Sequence, residues 1–380
     1  MIVDIKKHNY IDAIRGLAIL MVTLVHTALF GLLPKESVFY YLFIGQGARG
    51  VQLFYVVSAF TLFLSLHQRE RLENSPNLDF FIRRFFRIAP LYWVSIFYYL
   101  WQNGTGPNYW TGGNEPITTL NILSNFTFIH GINPYWINSL VPGGWSIAVE
   151  MSFYLTVPFL FAAYSNQENK KIFLYLLFFG TIAFSFLLRL ILINHPLVEQ
   201  TQLWNEYLFL FLPSQFPVFV IGMIAFHTVI STEDVQPKIL LIYTAIMFII
   251  SLWLKKITGI HIIEPHIIVS VIFGIIVVAL QRKPVKLLVN RPLIYIGKMS
   301  YSMYLMHFAA VFIIIRTNII QLTKQTNSQP LVQFCIAYLA LLTITLIISL
   351  FTNKLIEKPG IRLGELLTYK IERNRTNNRL

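Results

Sequence analysis

Apolar residues run through this chain in long blocks, and short polar clusters punctuate them. Ten blocks reach the roughly 20 residues that a bilayer crossing requires, near positions 13–33, 48–66, 86–102, 145–164, 172–193, 207–228, 238–254, 262–280, 300–320 and 331–355. None shows the strict alternation of a half-buried strand, so the pattern predicts an all-α polytopic membrane protein. Pro90, Pro213 and Pro217 interrupt the third and sixth blocks. Proline persists in membrane helices where neighbouring groups satisfy the freed backbone.

Composition agrees with the pattern. The chain is 56% hydrophobic and only 12% charged, whereas a soluble domain carries about 25% charged residues. Charge then orients the spans. With both termini cytoplasmic, and with Arg15 and Arg189 left out as lying within spans, 22 Lys and Arg fall inside and 6 outside. That asymmetry predicts an N-in, C-in chain with an even number of spans; only Lys255 and Lys256 argue against it. The net charge of +13 follows mostly from this topology. Basic residues scattered over membrane loops make nucleic acid a poor partner. The lone Cys335 excludes an intramolecular disulfide and a cysteine-based metal site, and no metal is expected. The first block is too long for a signal-peptide core and should stay as a membrane helix.

Residues 1–360 read as one membrane domain, with 361–380 as a basic, disordered tail on the anionic inner leaflet. There is no internal repeat and no separate soluble domain. The longest loop, Gln102 to Gly144, lies outside and contains no Lys or Arg. Its aromatics, Tyr109, Trp110, Phe126, Phe128, His130, Tyr135 and Trp136, suit either a sugar surface or an interfacial anchor, and anchoring is favoured for most of them.

Four constellations carry candidate chemistry. Arg15 and His26 stand eleven residues apart in the first span, which on a helix is nearly the same face and about 16 Å along the axis. Ionisable groups in a membrane helix are costly and mark function by default, so the pair could hold two ends of an elongated ligand. A snorkelling Arg beside a core His is equally compatible. Arg83-Arg84-Phe-Phe-Arg87 precedes Pro90, Tyr92 and Trp93 at the inner interface. Arg84 and Arg87 share a face and suit phosphate oxygens, although on charge alone the positive-inside rule accounts for them better. Trp145-Ser146 opens the fourth span, where Ser146 is placed to cap the helix, with Glu150 and Tyr154 below it. Glu150 could carry a proton, orient an imidazole, bind a sugar hydroxyl or neutralise a buried Arg. Ser300, Tyr304 and His307 follow i, i+4, i+7 spacing, a polar stripe that would also serve to hold membrane helices together. Gly50–Phe60, with Gln52 and Ser58, is small and polar enough for close helix contact, and Glu357-Lys358-Pro359 is expected to terminate the last span.

Together these residues resemble the membrane acyltransferase-3 family over about residues 9–360: Arg15 through ten residues to His26; Gly50-Val-Gln-Leu-Phe and Ser58; Arg84-x-x-Arg87 with Pro90 and Tyr92-Trp93; Trp145-Ser146 and Glu150; and Gly297, Ser300, Tyr301, Tyr304 and His307. Two departures are Ala59, where the family has Gly in Ser-Gly-Phe, and Gln52, where an acidic residue is common.

The resemblance implies a bacterial cytoplasmic-membrane enzyme. Its donor would be acyl-coenzyme A, most often acetyl-CoA, and its acceptor a carbohydrate or glycolipid hydroxyl. It further implies His26 as general base or covalent acyl carrier, and Arg15, Arg84 and Arg87 on the donor phosphates. Glu150 would orient or recharge His26 if the first and fourth spans are neighbours. Ser58, Tyr92, Trp145, Ser146, Ser300, Tyr304 and His307 would support substrate or site. The chain is expected to be of the form without the extra extracytoplasmic esterase-like domain of some relatives, and would then hand the acyl group directly to its acceptor. The competing reading is a transporter or flippase for a lipid-linked sugar, but such proteins often have duplicated halves and paired broken helices, and neither is seen here. A lipid-sugar glycosyltransferase would place acidic residues in its first external loop, where only Glu36 stands.

Overall fold

The computed structural model describes residues 8–34, 37, 39–70, 73, 76–107, 115–231, 263–325 and 329–377, together with 242, 245, 246 and 249. The described residues form helices and turns and no strand. In chain order the α-helices are α1 (Asn9–Thr27), α2 (Gly50–Arg69), α3 (Pro76–Asn103), α4 (Thr119–Phe126), α5 (Gly144–Ser165), α6 (Lys170–Asn194), α7 (Thr201–Leu210) and α8 (Leu212–Ile230). They continue as α9 (Pro265–Arg282), α10 (Arg291–Lys298), α11 (Ser300–Arg316), α12 (Ile319–Gln325), α13 (Pro330–Thr352) and α14 (Lys358–Asn377).

Among the described residues, seven helical stretches are long and apolar enough to cross a bilayer. The α10–α11 pair, bent by 78°, makes an eighth if it counts as one broken span. Eight of the expected spans thus coincide with helices, the sixth interrupted between α7 and α8 at Phe211. The third coincides with α3, which is continuous through Pro90 but less apolar because of its Tyr and Trp residues and Arg87. The block at 238–254, and with it Lys255 and Lys256, falls almost entirely outside the described residues.

Two close crossings position the site. Gly16 on α1 faces Leu293 of α10, and Gly297 faces the carbonyl of Asp12, at separations that leave no room for a side chain on either glycine. This seats the short amphipathic α10 under the start of α1 and fixes where α11 begins. Asn290 caps α10 by accepting from Leu293 N–H at 3.0 Å. Tyrosine hydroxyls then tie helix to helix through carbonyls: Tyr301 to Ile88 at 2.6 Å, Tyr99 to Leu305 at 2.8 Å and Tyr338 to Leu20 at 3.0 Å. Such bonds are worth most where no water competes for the carbonyl.

Two expectations about the C-terminal part are corrected. The helix does not stop at Glu357; residues Asn353–Glu357 form a single π turn that leads straight into α14. The buried Glu357 carboxylate accepts from Ser302 at 2.6 Å and from Asn353 at 2.8 Å. Residues 361–377 are helical, not irregular, because α14 packs along α3. Pro90 removes the N–H that would bond Phe86 O, and there Gly360 backs onto Phe86 O and the proline ring.

The long loop folds onto the bundle. Trp93 Nε1 donates to Phe126 O at 3.0 Å, and Tyr207 OH donates to Ile132 O at 3.1 Å. Tyr109 and Trp110 lie outside the described residues.

Candidate active site

All four sequence constellations contribute residues to one cavity. It encloses about 620 Å³ including its open mouth, and Arg15, Ser58, Arg84, Arg87, Ser146, Glu150, Tyr154, Ser300 and Tyr304 all line it. Its walls also include Phe54, Tyr55 and Tyr301. The spacing of α3 puts Arg84 and Arg87 one turn apart on the face that turns toward Arg15.

Adjacent arginines divide their work. Arg83 is neutralised by Glu73, with Nη1 and Nη2 donating to the two carboxylate oxygens at 2.9 and 3.0 Å. Arg69 joins the same carboxylate at 2.6 Å. Arg84 instead faces the cavity, its buried Nε without a hydrogen-bond partner and its guanidinium 5.9 Å from the Phe80 ring centroid. Arg15 donates to Thr61 Oγ1 at 3.3 Å and lies 3.8 Å from Asp12. Three guanidinium groups thus share one cavity with a single lining carboxylate, Glu150. That excess of positive charge in a poorly solvated place suits an anionic ligand with several oxygens.

Glu150 is held by hydroxyls. Ser58 Oγ donates to Glu150 Oε1 at 2.5 Å and Tyr154 OH to the same oxygen at 2.6 Å. The expectation that Glu150 orients His26 is not met, because the principal neighbours of α1 are α2, α10, α11 and α13, and α5 packs elsewhere. Among the described residues Glu150 forms no close ion pair with a lining Arg, although it shares the cavity with three of them.

Ser146 does not cap α5. The N-cap is Gly143, whose φ of 78° puts it in the left-handed region that glycine tolerates. Ser146 lies within the first turn, where its Oγ stands 2.7 Å from Tyr304 OH, and each hydroxyl is 3.0 Å from Gly143 O. This small hydroxyl chain ties α5 to α11 in the cavity wall. The predicted stripe on α11 is realised: Ser300 and Tyr304 line the cavity, and His307 lies beyond it.

His26 is not in the cavity wall with Arg15. It stands past Tyr304, whose ring centroid is 5.8 Å from that of His307. The His307 ring is in turn 4.8 Å from His26, with His307 Nε2 3.2 Å from His26 Nδ1. Tyr92 and Trp145 do not line the cavity either. Tyr92 OH donates to Asn125 at 2.8 Å and meets His130 Nε2 at 3.1 Å, while the Trp145 ring lies edge-on to Tyr55 at 6.3 Å. Gln52 is a packing residue, donating to Gln215 at 3.0 Å between α2 and α8. Of the buried Asn121–Asn125–His130 network only His130 was singled out in the sequence; the two asparagines lie on α4, and Asn125 and His130 meet Tyr92.

The structure is therefore that of a polytopic helical membrane protein with a cationic cavity at one end and an imidazole pair near the other. Residues 8–350 match the model of the acyltransferase-3 domain, described as an acyltransferase domain, and the chain belongs to that family. It is a membrane acyltransferase. No curated protein and no solved structure matches it.

Proposed function

We propose that this protein is an O-acyltransferase of the bacterial cytoplasmic membrane, moving an acetyl group from acetyl-CoA to a hydroxyl of a cell-surface carbohydrate or its lipid-linked precursor. The observation that carries this reading is the convergence of Arg15, Arg84 and Arg87 on one cavity, with Arg83 already neutralised by Glu73. Planar guanidinium groups match phosphate oxygens, and coenzyme A carries phosphates at one end and a thioester at the other. With the phosphates held at the cytosolic mouth, the pantetheine arm runs past Ser58 and Glu150 toward Tyr304. Acyl transfer at His26 then requires the Tyr304 and Ser146 hydroxyls, which both contact Gly143 O, to move aside.

In the simplest route, the acceptor hydroxyl gives its proton to His26 while its oxygen attacks the thioester carbonyl carbon. The C–S bond breaks, and the coenzyme A thiolate leaves and takes up that proton. The position of His26 beyond Tyr304, away from the arginines, equally suits a covalent carrier. In that case His26 Nε2 attacks the carbonyl carbon, the C–S bond breaks and coenzyme A leaves as the thiolate, giving an acyl-imidazolium. The acceptor oxygen then takes the acyl group as the N–C bond breaks, and the hydroxyl proton passes to the thiolate. Glu150, with its two hydroxyl partners, is the group placed to bind or deprotonate along the arm.

The test is comparison of surface glycans from cells with and without the gene by mass spectrometry and NMR, joined to an assay of purified protein in nanodiscs with radiolabelled acetyl-CoA. An ester that disappears with the gene, and label that enters the purified glycan, are expected. Unchanged glycans, together with no release of coenzyme A from any short acyl-CoA, would overturn the reading.

A further inference from the structure

Two backbone carbonyls fix the protons of the imidazole pair. His26 Nδ1 lies 2.8 Å from Val22 O, one turn back on α1, and His307 Nδ1 lies 2.6 Å from Tyr304 O on α11. A carbonyl only accepts, so each Nδ1 carries its hydrogen, and in a neutral ring the other nitrogen is then bare. His307 Nε2 consequently turns a lone pair toward His26 Nδ1 at 3.2 Å. The His26 Nδ1 hydrogen is shared between Val22 O and that lone pair. His26 Nε2 makes no hydrogen bond among the described residues. The Phe308 ring packs 4.6 Å from His26 and 4.2 Å from His307, so the two rings are held from the side as well. His307 is fully buried, while His26 is only partly so.

We propose that His307 is the positioning residue for His26. Its bare Nε2 holds His26 in the tautomer that leaves Nε2 free, fixes the tilt of the ring, and shares the charge that His26 gains on taking a proton or an acyl group. This rests on the acyltransferase reading above, in which His26 is the reacting group. Val22 O alone holds the tautomer but comes from the same helix as His26. A second acceptor on another helix determines where the free nitrogen points. The usual partner for such a ring is a carboxylate, and Glu150 is engaged by Ser58 and Tyr154 instead. A neutral imidazole performs the same orienting work without placing an anion among apolar helices.

The experiment uses full-length protein in nanodiscs, labelled with ¹⁵N-histidine, with His26→Ala to assign the His26 signals. Two variants of the partner are compared: His307→Leu removes the acceptor, and His307→Asn restores one through its amide oxygen. Wild type should show His26 protonated at Nδ1 and bare at Nε2. His307→Leu should mix the two tautomers and lower kcat by roughly 10–100-fold, the usual cost of losing the partner of a working histidine. The KM for acetyl-CoA should not move, because the arginines are untouched. His307→Asn should recover most of kcat and the single tautomer. A wild-type spectrum with His26 protonated at Nε2 would overturn the proposal, as would a Leu variant with unchanged tautomer and unchanged kcat. If the Leu variant fails to accumulate, the wild-type and Asn spectra decide. Should His26→Ala retain turnover, the acyl-transfer role of His26 fails on its own, while the tautomer measurement still stands or falls separately.

Discussion

Ser58 on α2 donates a 2.5 Å hydrogen bond to Glu150 on α5, and Tyr154 adds a second to the same oxygen at 2.6 Å. Hydrogen bonds to an ionised group are stronger than neutral ones, and each is worth about 1.5–3 kcal/mol where water is scarce. Two helices therefore hold one carboxylate at a set point in the cavity. Ser58→Ala should reduce kcat by about tenfold while the protein accumulates normally, and Glu150→Gln should reduce it by 10²-fold or more if the carboxylate moves a proton. Equal, small losses in both variants, measured as acetyl-CoA turnover in nanodiscs, would make Glu150 a packing group.

The neighbouring arginines of α3 provide an internal control for donor binding. Arg84→Lys and Arg87→Lys keep the charge but lose the planar fork, so each should weaken acetyl-CoA binding by roughly tenfold. Arg83→Lys leaves the cavity lining intact and should change binding little, because Arg83 is occupied with Glu73. Isothermal titration in detergent ranks the three. Were all three equal to wild type, the cluster would be only a topology signal.

Topology follows from charge, and two exposed positions report it. With Cys335→Ser as background, Thr105→Cys should react with an impermeant maleimide added to intact cells, and Lys283→Cys should react only after the membrane is opened. Both sites are exposed, so access to reagent decides labelling. Labelling of both from outside would reverse or break the N-in, C-in arrangement.

The contact of α14 with α3 is sensitive to pH. Asp79 is buried in the first turn of α3, and burial, then a hydrogen bond to Glu372 on α14 and the charge of Glu73, push its carboxyl up to about 7. An unfolded Asp titrates near 4, so the folded protein holds the proton more tightly. The stability this gives is fully present below about pH 4, is lost as pH rises toward 7, and stays lost above it. Asp79→Asn mimics the protonated form. Its thermal midpoint should exceed that of wild type by more at pH 8 than at pH 5. A difference that shrinks with rising pH would show that Asp79 is not the group involved.

Most of the cavity was legible in the sequence because its residues repeat at helical spacing. Arg84 with Arg87, and Ser300 with Tyr304 and His307, share faces whatever the helices pack against. Pairings between helices were not legible. Ser58 and Glu150, or His26 and His307, become neighbours only through the order in which α1, α2, α5 and α11 assemble. The fate of residues 361–377 was hidden for a related reason. Their composition alone reads as a charged tail, and what orders them is packing along α3, where Gly360 and Gly364 approach Phe86 closely. Ser146 misled because a hydroxyl three residues into a helix resembles a cap, while Gly143 supplied the turn.

His26 carries the catalytic reading and is the residue on which it fails most clearly. The ring is partly exposed, lies on the helix that also bears Arg15, and keeps Nε2 free of hydrogen bonds among the described residues. General acid–base participation is worth about 10²–10⁴-fold in rate. His26→Ala should therefore abolish acyl transfer while protein level and coenzyme A binding persist. His26→Gln keeps some hydrogen bonding but relays no proton, so it should be equally inactive. A structural histidine would give the opposite pattern, with Gln tolerated and Ala lost from the membrane. Incubation with radiolabelled acetyl-CoA and no acceptor, followed by a quench, separates the two routes. Label retained on wild type and absent from His26→Ala identifies the acyl-imidazole, and absence from both identifies the general base. Near-normal turnover by His26→Ala would refute either.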